Sequence, residues 1–365
     1  MATPVASARG PFGVLPHVDR AVPQDPGTLL PVTGHGEAPA RFVLAAPNDL
    51  PMRPIRAYAS LKAADSVEER VDLVMRELER QGAFRRKYLF LGAPTGGGHV
   101  NPIAMELVER MAKGDVASVG IQYGTLPSVL SIGKVDDARD MLRLLMTRIR
   151  DRIRAEHPAG GGPKVLLYGE SLGGWASQGV LDTAAEAAER RTGRAADPLR
   201  EMGIDTAVWI GIPGFSRFRS DRLGAGGMQA MSSVAELDRI DPAARARARA
   251  WELSHFDDPV HRADLATIWR RPKWLPADGR NPKGVGAEER WRPVLTFFDT
   301  IYRTLASANK EVIGQFTDHG HDYRKELPKL LRAAFGFTDV TDAELARMTE
   351  QVRQSEVWIM SQEWR

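Results

Sequence analysis

A serine between glycines, Gly169-Glu170-Ser171-Leu172-Gly173, directly follows the apolar run Val165-Leu166-Leu167-Tyr168 and opens a helical stretch that reaches about Arg190. A Gly-x-Ser-x-Gly segment between a strand and a helix predicts a nucleophile elbow. The serine sits on a strained turn where flanking side chains would collide, and its hydroxyl projects from the edge of the sheet. The pentapeptide alone recurs by chance, so the strand before it and the helix after it carry the inference.

A serine hydroxyl needs a base to become a nucleophile, and the base needs a carboxylate to orient it. Downstream the chain reads His255-Phe256-Asp257-Asp258-Pro259-Val260, placing an acid just past a candidate strand with a proline turning the chain away. Asp258 is preferred over Asp257 because Asp-Pro-Val reads as the turn into the next segment; the alternative is an aspartate that caps the next helix. The base is sought in Asp318-His319-Gly320-His321-Asp322. Gly320 lets the backbone bend so that His321 reaches over the sheet edge, Nε2 toward Ser171 and Nδ1 toward Asp258; His319 is then a bystander. A rival reading makes His319 and His321, with Asp318 or Asp322, a metal site. No third and fourth ligands cluster nearby in the sequence, so no metal and no cofactor are expected.

An oxyanion forming on the substrate would need two amide donors. One is the residue after the nucleophile, Leu172; the other comes from an earlier strand-to-helix loop. Pro94-Thr95-Gly96-Gly97-Gly98-His99 is such a loop, with Thr95 or Gly96 the favoured donor. It lacks the Lys-Ser/Thr ending of a phosphate-binding loop. His99, Glu170, Tyr123 and Trp269 are expected around the substrate pocket. The tryptophan-rich stretch Trp269-Arg270-Arg271-Pro272-Lys273-Trp274 and Trp291-Arg292-Pro293 reads either as a lid or as packed cover for the sheet.

The elements that must position these groups alternate. Apolar runs at Arg41–Leu44, Pro54–Tyr58, Tyr88–Leu91, Val116–Ile121, Val165–Tyr168, Thr206–Ile212, Trp251–Phe256 and Val312–Phe316 predict strands. Several have no polar alternation, as strands buried on both faces of a parallel sheet require. Between them lie helices: one capped by Ser66 with Glu69 three residues on and stopped by Gly82, then Ile103–Lys113, Asp136–His157, Leu172–Arg190, Tyr323–Phe335 and Ala343–Ile359. Strand–helix alternation predicts an α/β fold with a mostly parallel central sheet, whose reactive groups gather at the carboxyl ends of the strands.

Composition narrows the function. The absence of cysteine excludes disulfides and thiolate chemistry. A net charge of +3 from 50 basic and 47 acidic residues gives no one-signed surface, so no nucleic-acid partner is expected. No run approaches the ~18 apolar residues of a membrane span. Residues 1–36, rich in Pro, Gly and Ala, read as a flexible or surface-lying arm without an apolar secretion core, and residues 37–365 as the catalytic domain with a lid-like insertion at about 260–296. A cytoplasmic location is expected, with peripheral membrane association and oligomeric state left open.

The chain also resembles the catalytic domain of a predicted bacterial, actinobacterial-type α/β-hydrolase family, many of whose members carry an amino-terminal membrane portion. The likeness runs over roughly residues 40–335. It rests on Pro54-Ile55-Arg56-Ala57-Tyr58, Glu77 through Phe84, Ala93-Pro94-Thr95-Gly96, Gln122-Tyr123 with Leu126-Pro127-Ser128, the Ser171 pentapeptide, Trp269-Arg270-Arg271-Pro272 and Gly320-His321. It implies the α/β-hydrolase fold and a serine-hydrolase role for Ser171, Asp258 and His321, while naming no substrate. His99 replaces the family's usual tryptophan, Gly124-Thr125 replaces a Ser-Tyr pair, and the membrane portion is absent from this sequence. The expected function is hydrolysis of a carboxylic ester or thioester, in a small-molecule or lipid-like substrate, through an acyl-enzyme. Acyl transfer through the same intermediate, or a catalytically silent binding scaffold, are the alternatives.

Overall fold

Among the described residues, seven strands, every neighbouring pair parallel, form one sheet in the order β1-β3-β2-β4-β5-β7-β6. They are β1 (Ile55–Ala59), β2 (Tyr88–Ala93), β3 (Val116–Ile121), β4 (Lys164–Glu170), β5 (Thr206–Ile210), β6 (Met228–Met231) and β7 (Ala250–Leu253). The computed structural model describes residues 47, 49–95, 98, 100–124, 135–307 and 312–363. The expected arm at 1–36, the strand at Arg41–Leu44, Gly96, His99 and Leu126–Ser128 lie outside the described residues.

Side chains alternate between the two faces of the sheet, and each face is covered. Ile55, Ala57, Leu89 and Leu91 join one apolar cluster with the helices α1 (Val67–Arg80), α3 (Val135–Glu156) and α4 (Ser171–Thr192). Tyr58, Phe90 and Tyr168 join the other, with α2 (Pro102–Met111), α6 (Leu327–Ala334) and α7 (Asp342–Glu363). Helix α1 begins where the sequence predicts. Ser66 Oγ accepts from Glu69 N while Glu69 returns a bond to Ser66 N, and Val71, Val74, Met75 and Leu78 are buried at helical spacing. Burying each such side chain contributes about 1.5–3 kcal/mol. The result is the expected α/β-hydrolase architecture.

Three segments depart from the sequence reading. Val312–Phe316 is not a strand: Gln315 N closes a turn on Val312 O, and Gly314 holds φ +72°. The sheet edge beside β7 is taken instead by β6, whose Met-Gln-Ala-Met lacks the β-branched residues that mark a strand. At and beyond the end of the insertion expected at about 260–296, the chain also forms a helix that the sequence reading missed, α5 (Leu295–Ser307). It packs on the short helix Pro259–Arg262 and the turn Leu265–Ile268. Inside the insertion Trp274, Leu275 and Val285 form a small core with Phe256 and Trp291. Among the described residues no helix is long and apolar enough to cross a membrane.

Candidate active site

Ser171 stands at the junction of β4 and α4 with φ +53°, a left-handed conformation that non-glycine residues rarely adopt. The neighbouring glycines make the turn possible. A Cβ on Gly173 would lie 2.4 Å from Pro94 O, and one on Gly174 would lie 2.5 Å from the Ile212 side chain. The start of α4 is thereby pressed against the loop after β2. No side chain caps this helix, so its first-turn amides, Leu172 among them, are left unengaged by a capping group. Thr95 lies in that loop, its carbonyl accepting from Gly98 N at 2.8 Å. Gly98 O in turn accepts from the Tyr58 hydroxyl at 3.0 Å.

The candidate acid and base meet. Asp258 ends the segment after β7 as the cap of the helix Pro259–Arg262. Its Oδ1 accepts from Val260 N at 2.8 Å, and its Oδ2 lies 2.8 Å from His321 Nδ1. The Tyr323 hydroxyl donates to the same Oδ2 at 2.6 Å. Burial of this fully enclosed carboxyl favours the neutral acid. His321, Tyr323 and Val260 N together outweigh it, and the pKa is held below the usual aspartate value. His319 is directed elsewhere, its Nδ1 3.0 Å from Thr317 Oγ1.

The serine and the pair are brought together by the sheet. Glu170 pairs with Ile210, so Ser171 and Gly211 leave β4 and β5 side by side. A Cβ on Gly211 would meet His321 Cε1 at 2.8 Å and Asp258 Oδ2 at 3.0 Å. The His321 ring therefore lies over the backbone next to Ser171, and only glycine leaves room for it. Among the described residues no hydrogen bond joins Ser171 Oγ to His321; such bonds commonly tighten only when substrate is present.

The remaining expected pocket residues separate. Glu170 is held by Asn101 Nδ2 at 2.8 Å and by the Tyr168 hydroxyl at 2.9 Å. Asn101 also caps α2, so Glu170 ties the elbow to that helix. Tyr123 is buried in the core, its hydroxyl without a partner among the described residues. Trp269 is 66% exposed on the insertion. Three residues that the sequence reading did not single out frame the pair. His255 stacks on Tyr323 with ring centroids 4.1 Å apart, places Nδ1 2.9 Å from Gly320 O, and directs Nε2 to Glu326. Its backbone N–H donates to the Tyr323 hydroxyl at 3.0 Å. Contacts across more than sixty residues leave no local pattern to read.

With this architecture in place, a family model described as the alpha/beta-hydrolase family matches residues 55–348, and the chain belongs to that family. Among solved structures, an acetylxylan esterase is similar at 16% identity, covering 48% of this chain and 85% of its own, with a TM-score of 0.30. An iodinated complex of acetyl xylan esterase is similar at 13% identity over 48% and 84%, with a TM-score of 0.29. No match is found among the curated proteins.

Proposed function

We propose that this chain is a serine hydrolase that cleaves a carboxylic ester or thioester, with Ser171 as nucleophile, His321 as base and Asp258 as its orienting acid. The observation that carries the reading is the His321–Asp258 contact at 2.8 Å, set over Gly211 beside a serine with φ +53°. With Nδ1–H donated to Asp258, the imidazole presents Nε2 as the proton acceptor. Ser171 Oγ attacks the acyl carbonyl carbon and passes its proton to Nε2. The carbonyl oxygen becomes an oxyanion, and collapse of the tetrahedral intermediate expels the alcohol or thiol, which takes the proton from His321. Water then adds to the acyl-enzyme with His321 again as base, releasing the carboxylic acid and free Ser171. The Leu172 amide, with that of Thr95 or Gly96, is the proposed oxyanion site, each donor contributing on the order of 3 kcal/mol to lowering the barrier.

A fluorophosphonate probe tests this directly. Wild type should label, while Ser171→Ala should not label at all and His321→Ala should label at least about 100-fold more slowly. A wild-type protein that stays unlabelled would favour a silent scaffold. Labelling that persists in Ser171→Ala would place the nucleophile elsewhere.

A further inference from the structure

We propose that the exposed face formed by residues 265–303, from the turn Leu265–Ile268 to helix α5, is a landing surface for anionic lipid. Six large apolar side chains, Leu265, Trp269, Val294, Leu295, Phe298 and Tyr302, are 45–71% exposed there. Val294 N donates to Ile268 O, bringing Trp269 beside the start of α5, and Leu295, Phe298 and Tyr302 continue along one stripe of the helix. Val294 also holds φ +66°, a backbone that β-branched residues avoid. An apolar side chain thus stands at a strained, solvent-facing position. Aggregated exposed apolar residues of this size mark an interaction surface rather than ordinary cover.

Charge identifies what that surface meets. Residues 259–303 carry nine Lys and Arg against five Asp and Glu, a net +4 that exceeds the +3 of the whole chain. Arg270, Lys273 and Arg292 are exposed and meet no carboxylate among the described residues. Arg270 follows Trp269 directly, and Arg292 precedes Val294 by two positions, so the cations border the apolar stripe. Tryptophan, phenylalanine and leucine with flanking basic residues suit a helix lying in the plane of an anionic leaflet. A second copy of this chain would instead set two positive faces against each other. Each cation close to such a leaflet strengthens binding about fivefold.

Co-sedimentation of the full chain with vesicles tests the assignment without reference to the chemistry at Ser171. Binding to phosphatidylglycerol vesicles should be at least about tenfold stronger than to phosphatidylcholine, and should weaken as salt shortens the Debye length. Phe298→Ser with Tyr302→Ser should lower binding to both vesicles at least tenfold while leaving fluorophosphonate labelling and the melting temperature of wild type intact. Arg270→Gln with Lys273→Gln and Arg292→Gln should remove the preference for phosphatidylglycerol. Absence of binding to either vesicle, or binding indifferent to both sets of substitutions, overturns the proposal. So does a wild-type dimer in sedimentation that Phe298→Ser with Tyr302→Ser dissociates, since the face is then a self-interface.

Discussion

At the scale of single residues, what matters is how a wholly buried carboxylate is kept charged beside a histidine. An unpartnered ion in that position would take up a proton rather than remain ionised. Asp258 avoids this by accepting from Val260 N, Tyr323 and His321 together. The loop that carries His321 is held in turn by His255. Its Nδ1 faces the Gly320 carbonyl and its Nε2 faces Glu326, which already accepts from Ser233 Oγ and Val234 N. Two acceptors on one ring call for the imidazolium. Burial opposes that charge, but Glu326 and the Gly320 carbonyl outweigh it, and the His255 pKa is raised. A raised histidine contributes stability that is fully present below the unfolded value of about 6.5 and is lost as pH rises through the folded value. His255→Leu should therefore cost about 3–5 kcal/mol near pH 6, and a smaller amount near pH 9. Urea unfolding of both proteins at the two pH values measures this; an equal cost at each would mean that the fold does not raise the His255 pKa. The meeting of Ser171, Asp258 and His321 was partly legible in the sequence, because the first two sit in short motifs just past strands and the third follows Gly320, although the strand expected before it is a turn. Tyr323, His255 and Glu326 were not, since their roles exist only where distant segments meet.

The same division holds for whole elements. Val116–Ile121 is a strand over the predicted span, and α1 starts on its predicted capping box, because continuous apolar runs and local caps are written in neighbouring residues. β6 escaped because a four-residue edge strand needs little apolar sequence, and Val312–Phe316 misled because apolar content alone does not supply a free sheet edge. The prediction of β7 identified a strand without the cost inside it. Its Glu252 lies on the face toward Ala250 and is met only weakly, by Gln178 Nε2 at 3.5 Å. Burial pushes its pKa up to about 7, against a small opposing effect of Gln178. Between the unfolded value of about 4.3 and that value the folded chain holds the proton more tightly, so stability falls as pH rises through this window and then levels. Glu252→Gln removes the penalty. Relative to wild type, the variant should gain on the order of 3 kcal/mol between pH 5 and pH 8, read as a melting-temperature difference that widens over that interval. A difference independent of pH would mean that Glu252 is already ionised at pH 5.

Across the whole molecule, the outermost helix reaches the two sides of the candidate site by separate routes. From the serine, Glu170 binds Asn101, which caps α2; farther along α2, Glu106 pairs with Arg110 and accepts from Ser355 of α7. From the histidine, the adjacent Asp322 is gripped through both oxygens by Arg324, which also bonds the carbonyls of Val312 and Gln315 and pairs with Glu356 of α7 at 2.6 Å. Glu356 further accepts from Gly314 N at 2.7 Å. The segment that fails to form a strand is thus ordered by charged side chains instead of a ladder, and α7 is the common anchor. Spatial continuity alone does not establish coupling. If α7 braces the His321 loop through this pair, Arg324→Ala and Glu356→Ala should not add. Arg324→Ala should cost about 3–5 kcal/mol, because it leaves Asp322 and Glu356 buried together without a cation. Adding Glu356→Ala should then cost less than it does alone, with a coupling energy of about 1–3 kcal/mol. The same pair of substitutions should slow fluorophosphonate labelling together rather than multiplicatively, since each releases the same loop. Additive losses in both stability and labelling would mean that the His321 loop is held by Asp322 and His255 alone, and that α7 contributes only the burial of Leu345, Met348 and Val352.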